Sequence, residues 1–310
     1  MGHHHGHSHG HHSHGHSHAH TGNKKALFWS FLLIAGFMIV EVAGGLITNS
    51  LALLSDAGHM LSDAAALGLS LFAIKLGERN ASQTKTYGYK RFEIIAAFIN
   101  GITLIVISLY IFYEAYHRFT NPPEVQSLGM LLISITGLLV NILAAWLLMR
   151  GDKEENLNVR SAFLHVLGDM LGSAGAIAAA LLIMFFGWGI ADPVASVIVA
   201  FLVIISGWRV TKQSIHILME GTPIQVDMEK LKQSLSAIPY VKNIHDLHIW
   251  SITSEFPTLS CHIAIAGEGD HDTVLHQAQN ILHDDYGIEH STIQVEYEDN
   301  GCPSHHGVCN

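Results

Sequence analysis

Residues 56–68 read DAGHMLSDAAALG and residues 164–175 read LHVLGDMLGSAG. Each places a His-x-x-x-Asp pair, His59 with Asp63 and His165 with Asp169, inside a stretch that is otherwise apolar. A spacing of four puts both side chains of a pair on one helix face, one turn apart. Two such helices facing one another supply two imidazoles and two carboxylates, a tetrahedral N/O set suited to zinc. Charged groups inside apolar spans are costly, about 2.5–3.5 kcal/mol for a central aspartate, and so mark ion paths more often than packing.

Outward from these stretches the chain divides into regions. Of 310 residues 49% are hydrophobic and only 14% charged, a membrane-like balance. Six apolar stretches each reach the ~20 residues a bilayer requires: Ala26–Thr48, Leu51–Leu76, Phe92–Tyr116, Val125–Met149, Val159–Phe186 and Ile190–Trp208. The expectation is a six-helix transmembrane bundle over residues 26–208. Residues 1–25, with eleven histidines among Gly and Ser, have nothing to bury and read as a disordered tail that gathers metal.

Residues 209–298 change character. Asp227 is placed to cap a helix running to Ile238, strands are expected at Val241–Thr253 and Thr258–Ala266, a helix at Val274–Tyr286 and a last strand at Thr292–Tyr297. The order α-β-β-α-β predicts a small α+β domain with helices layered on one sheet. Residues 299–310 form a tail with Cys302 and Cys309.

Lys and Arg fall on one side of the spans: Lys24 and Lys25, then Arg79, Lys85, Lys90 and Arg91, then Arg150, Lys153 and Arg160, then Arg209 and Lys212. The opposite connections carry only Arg118. The positive-inside rule places both termini and the small domain in the cytoplasm of a multi-pass plasma-membrane protein. The net charge of −10 gives nucleic-acid binding no support. An enzyme is not expected: His-Glu-x-x-His is missing, and four protein ligands leave no open position for water. A membrane-anchored zinc sensor is the alternative, but an anchor needs no ligands inside its spans.

Other polar residues in the spans have simpler readings. Asp56 shares the face of His59 and Asp63, either extending an ion path or sitting wetted near the outer surface. Glu41 and Asn141 are expected to make interhelical hydrogen bonds. Asp192, before Pro193, is expected to cap its own helix. Gly168, Gly172 and Ala176 permit a close helix approach, and Gly44, Gly45 and Gly101 are read as easing helix movement.

The motifs SLALLSDAGHMLSD, NLNVRSAFLHVLGD, ADP and HDLHIWSIT together resemble those of the cation diffusion facilitator family, in its bacterial zinc, cobalt and cadmium efflux branch, over residues 26–298. The resemblance implies a homodimer with six spans per protomer and a ferredoxin-like cytoplasmic domain. It implies zinc export in exchange for protons by alternating access, with His59, Asp63, His165 and Asp169 as transport ligands. Cadmium and cobalt are the competing cargoes. It also implies a regulatory zinc site in the cytoplasmic domain, matched by His245, His262 and Glu296. His276, His290, Cys302 and Cys309 are accessory candidates. His248, three residues past His245, falls on the opposite strand face by simple alternation. The connection from Gly77 to Arg91 carries no His or Cys, so no further metal site is expected there.

Overall fold

A computed structural model describes residues 17–77, 82–149, 156–254 and 256–297, except for the side chains of residues 17–27, 70, 73–77, 145, 147–149 and 156–169. The His-rich run up to His16, Cys302 and Cys309 lie outside it. The elements are α1 (Ser17–Thr48), α2 (Leu51–Gly77), α3 (Phe92–Thr120), α4 (Ser127–Met149), α5 (Asn156–Phe186), α6 (Ala191–Leu218), α7 (Met228–Ser236), β1 (Val241–Ser251), β2 (Pro257–Ile265), α8 (His271–Tyr286) and β3 (His290–Tyr297). Two compact units result: Met1–Leu71 with Ile111–Val199, and Phe72–Tyr110 with Ala200–Asn310.

Six long helices cover the six expected stretches, with α1 beginning at Ser17, inside the segment expected to be a disordered tail, and α6 continuing past Trp208 to Leu218. Among the described residues four of them, over Phe28–Thr48, Phe92–Thr120, Ser127–Ala144 and Ala191–Leu218, are long and apolar enough to cross a membrane. The other two are the ones that carry the His-x-x-x-Asp pairs. In α2 the polar residues Asp56, His59 and Asp63 interrupt the apolar run. In α5 the described apolar part is Met170–Phe186.

In the first unit, one cluster joins Ile34 and Phe37 of α1, Met60 and Ala64 of α2, and Ala144 of α4. A second is built mostly from alanine: Ala52 and Leu53 of α2, Met130 of α4, Ala176, Ala179 and Ala180 of α5, and Ala195 of α6. Small side chains let backbones approach, which substitutes for the hydrophobic drive that lipid removes. Gly44 and Gly45 are packing points, because a Cβ there would clash with Ile133 and Leu54. Gly101, in the second unit, likewise faces the Gly207 carbonyl and Thr211.

The turn between α1 and α2 is held from a distance. Asn49 takes a left-handed φ of +56° and ends α1, a conformation asparagine tolerates better than most residues. The Ser50 hydroxyl accepts from Leu53 N–H at 3.3 Å, as an N-cap does. The fully buried Asp192 of α6 then accepts from Ser50 Oγ at 2.6 Å, Leu51 N at 2.8 Å and Ala52 N at 3.1 Å. Asp192 therefore caps α2, where the sequence pointed to its own helix. Arg118 donates to the Asn49 carbonyl at 2.7 Å and lies 3.7 Å from Asp192.

In the second unit, α7 and α8 cover one face of a three-stranded sheet of order β1-β2-β3, antiparallel then parallel. Its core takes Leu231 and Leu235 from α7, Val274, Ala278 and Leu282 from α8, and Ile244, Ile249, Leu259, Ile263 and Ile265 from the strands. The element order is the one expected. Asp227 caps α7 through Lys230 N–H as expected, while α8 starts at His271, before Val274, because Asp270 caps it through Thr273 N–H at 2.9 Å. Gly287 closes α8 in the left-handed conformation, φ +63°.

Candidate metal centres

Alternation along a strand sends the partners of core residues to the opposite, uncovered face. On β2, Leu259, Cys261, Ile263 and Ile265 face the helices, so Ser260 and His262 face away. His245 pairs directly with His262 in the antiparallel register. On β3, Gln294 lies beside His262 and Glu296 beside Ala264, with Ile293 and Val295 packed on the core side. Glu296 thus reaches the two imidazoles diagonally.

The three side chains converge. Their ligand atoms all lie within 4.8 Å of one another. His245 Nε2 is 3.1 Å from Glu296 Oε1, and His262 Nδ1 is 3.7 Å from Glu296 Oε2. The two rings stand 5.1 Å apart at 64°. Both ring nitrogens of the buried His245 lack an aligned hydrogen-bond partner among the described residues. Orphaned buried donors and acceptors are costly, and a cation accepting the imidazole lone pair removes that cost at one of the two nitrogens. The donor set, two nitrogens and a carboxylate, is one that suits zinc. Gln294 Nε2 donates to Glu296 Oε2 at 3.0 Å and orients the carboxylate.

A bulge completes the arrangement. His245 pairs with His262 but His248 pairs with Ser260, so β1 takes three steps against two on β2. Asp246 absorbs the extra residue with φ +52°. His248 consequently shares the face of His245, against the sequence expectation, and Ile249 is returned to the core. Asp246 Oδ1 meets His248 Nε2 at 2.9 Å and its Oδ2 lies 3.9 Å from His262 Nε2. Neither the bulge nor the role of Asp246 is visible in the local residue pattern; Gln294 was detectable as the residue two before Glu296 on the same face.

The accessory candidates go elsewhere. His276 sits exposed on α8, on the helix layer, away from the triad's face. His290, at the start of β3, stacks edge-on against Tyr87 at 5.7 Å and lies 3.4 Å from its hydroxyl. Cys261 is in the core, where burial pushes its thiol up to about 12, so it stays protonated and is no ligand at neutral pH.

In the first unit, α2 presents Asp56, His59 and Asp63 at successive turns. Asp56 is 1% exposed and Asp63 8%, while His59 is half-buried. Asp56 is not wetted at an outer surface. Its Oδ2 accepts from Ser173 Oγ of α5 at 2.9 Å. A Cβ on Gly172 would clash with Asp56 Oδ1, so that glycine makes room for the carboxylate. His165 and Asp169 lie on α5 two turns and one turn before Ser173, and their side chains are outside the described residues. Glu41 of α1 is fully buried, and neither carboxylate oxygen has a hydrogen-bond partner among the described residues, contrary to the expected interhelical bond.

Comparison with known proteins agrees with both regions. Residues 27–219 match the cation efflux transmembrane domain, and residues 223–298 match the cation efflux protein cytoplasmic domain. The chain is 56% identical over 283 residues to the cadmium, cobalt and zinc/H(+)-K(+) antiporter of Bacillus subtilis, covering 89% of this chain and 90% of that protein. It is 48% identical to zinc transporter ZitB of Pectobacterium atrosepticum, over 92% of this chain and 90% of that one. It is 41% identical to the metal cation efflux system protein CzcD of Cupriavidus metallidurans, over 89% and 87%. The long helices and the two-layer domain thus fall in the two matched regions, and the chain is a multi-pass membrane protein belonging to the cation diffusion facilitator family.

Proposed function

We propose that this chain exports divalent transition-metal cations, zinc foremost, across the plasma membrane in exchange for protons. The cargo binds between α2 and α5 at His59, Asp63, His165 and Asp169. The observation that carries this reading is the Asp56–Ser173 hydrogen bond. Asp56 lies a turn before His59 on α2, and Ser173 a turn after Asp169 on α5. A contact between those two positions, with the helices antiparallel as a span-to-span alternation requires, supports a register in which the two His-x-x-x-Asp pairs stand at one level.

The chemistry follows from the donors. Imidazole must be neutral and carboxylate ionised to bind metal, so protons and metal compete for the same four groups. Imidazole titrates near pH 6.5, within reach of a physiological proton gradient. Protons arriving at the outward-open site displace the metal, and the emptied site returns. The names of the relatives support zinc, cadmium and cobalt as cargoes and protons with potassium as the exchanged ions. His245, His262 and Glu296 hold a resident zinc in the cytoplasmic domain, through which two protomers associate. Both termini lie in the cytoplasm, on the strength of the Lys and Arg distribution.

Purified protein in liposomes, with zinc, cadmium and cobalt compared under an imposed proton gradient, tests the reading. Uphill zinc movement with an opposing proton signal is expected. Zinc movement with no proton signal would remove the antiport, and no movement of any of the three metals would remove the transporter.

A further inference from the structure

His262 has a carboxylate at each of its two ring nitrogens. On one side, Nδ1 lies 3.7 Å from Glu296 Oε2, and the other oxygen of Glu296 lies 3.1 Å from His245 Nε2. On the other side, Nε2 lies 3.9 Å from Asp246 Oδ2. The two nitrogens of an imidazole point apart. A cation held jointly with His245 and Glu296 therefore takes Nδ1 and leaves Nε2 outside the triad. Asp246 is on the wrong side of the ring to share that cation. It stands about 1 Å beyond hydrogen-bond length from the nitrogen that is left over, a gap that a small turn of the ring closes.

The backbone brings Asp246 there without requiring a carboxylate. Asp246 is the left-handed residue of the bulge in β1, with φ +52°. Gly, Asn and Asp all suit that conformation, so the bulge does not by itself choose among them. The side chain is already anchored through its first oxygen: Oδ1 lies 2.9 Å from His248 Nε2. One carboxylate thus spans two imidazoles, with His248 steadying Oδ1 and Oδ2 turned towards His262. In metal sites, the ring nitrogen that does not bind the ion donates its N–H to such a group, which fixes the tautomer and orientation of the ring and raises the basicity of the ligating nitrogen. We propose that Asp246 is the positioning residue of the cytoplasmic zinc site: it keeps the His262 proton on Nε2 and so presents the Nδ1 lone pair to the cation shared with His245 and Glu296. Gln294 does the corresponding service for the Glu296 carboxylate, donating to Oε2 at 3.0 Å. The inference rests on the resident-zinc reading above and deepens it, by assigning the ligating nitrogen of His262 and the residue that selects it.

The test is zinc titration of the full-length protein in detergent, followed by calorimetry. The binding component that disappears in His245→Ala belongs to the triad. Asp246→Gly suits the left-handed backbone and removes the carboxylate; in it that component should weaken about tenfold or more, the range seen when a ligand loses its orienting partner. Asp246→Asn keeps the backbone and a neutral acceptor for Nε2–H, and should weaken zinc less than Asp246→Gly does. Cobalt(II) in place of zinc reports the donor atoms. The visible bands lost in His245→Ala should keep their positions in both Asp246 variants, because a positioning residue alters how firmly the donors bind and not which atoms they are. Melting of the metal-free proteins separates this from a structural role: the melting temperature of Asp246→Asn should be unchanged while its zinc affinity falls. Unaltered zinc affinity in Asp246→Gly would overturn the proposal. Cobalt bands that move in either variant would also overturn it, by making Asp246 a ligand. A His245→Ala chain that loses no zinc component would instead strike the resident-zinc reading on which the proposal depends.

Discussion

The polar seam of α2 and the polar face of the cytoplasmic sheet carry similar side chains under opposite rules. On α2, Asp56, His59 and Asp63 sit in an apolar helix where each is expensive, so their presence demands a use. On the sheet, His245, His262 and Glu296 sit on a face the helices leave uncovered, where histidine is an ordinary residue type and does not by itself mark a site. What singles out the triad is position: direct pairing of His245 with His262, and the diagonal reach of Glu296 from the neighbouring strand. In the membrane, residue type reveals a site. In water, only topology does.

If that contrast is right, the two regions should fail differently. Asp63→Asn and His165→Ala should each abolish zinc flux in liposomes while the protein still elutes as a folded species in detergent. Near-normal flux in either would return the α2 seam to a structural role and collapse the comparison. The next largest effect is on stability. Asp192→Ala removes the acceptor for two α2 amides and the Ser50 hydroxyl, and takes from the partly buried Arg118 one of its two carboxylate neighbours, Glu114 at 2.9 Å remaining. A loss of about 3 kcal/mol is expected, read as a lower melting temperature in detergent; an unchanged value would show that water replaces the cap.

The sheet should respond in affinity and not in flux. His245→Ala or Glu296→Gln in the full chain should weaken the cytoplasmic zinc site by about tenfold or more, the range found when a ligand or its orienting partner is lost. Calorimetry reads that change, and maximal zinc flux should survive. Unaltered zinc affinity would send the resident ion to other donors.

The smallest effect concerns pH. The Lys230 amide hydrogen bond to Asp227, and the Thr273 side chain and amide hydrogen-bonded to Asp270, hold both carboxyls below the ordinary value of 3.8. Depressed in the folded state, they contribute stability that is complete above the unfolded pKa and fades as pH falls through the folded one. The cytoplasmic domain, which has its own core, should therefore lose a little stability below about pH 4. Asp270→Asn should flatten that decline in thermal melts taken between pH 5 and pH 3; an equally steep decline would mean the cap does not titrate with folding.

The helices were legible because apolar length and the cost of charge are both written in composition. The triad residues were legible only through resemblance, and their convergence is a property of strand register that no local pattern encodes. Three readings failed for identifiable reasons. Asp192 was matched to the nearest helix start, its own, whereas the orphaned amides it serves belong to α2, far away in sequence. Glu41 was assigned a hydrogen bond on the general habit of polar residues in spans, and α4 offers it a glycine instead. His248 was placed by counting in twos along a strand that does not count in twos.

That strand has a consequence for how the chain tolerates change. With Asp246 taking up the odd residue, the order from His245 to Trp250 is punctuated once. Removing Leu247 would leave Asp246 alone opposite Cys261: the bulge would be lost, while the far half would keep its frame, with Ile249 still opposite Leu259. A loss of one residue at the bulge is therefore absorbed where a loss after His248 is not, and a homologous strand shorter by one at this point should keep the same inward and outward residues beyond it.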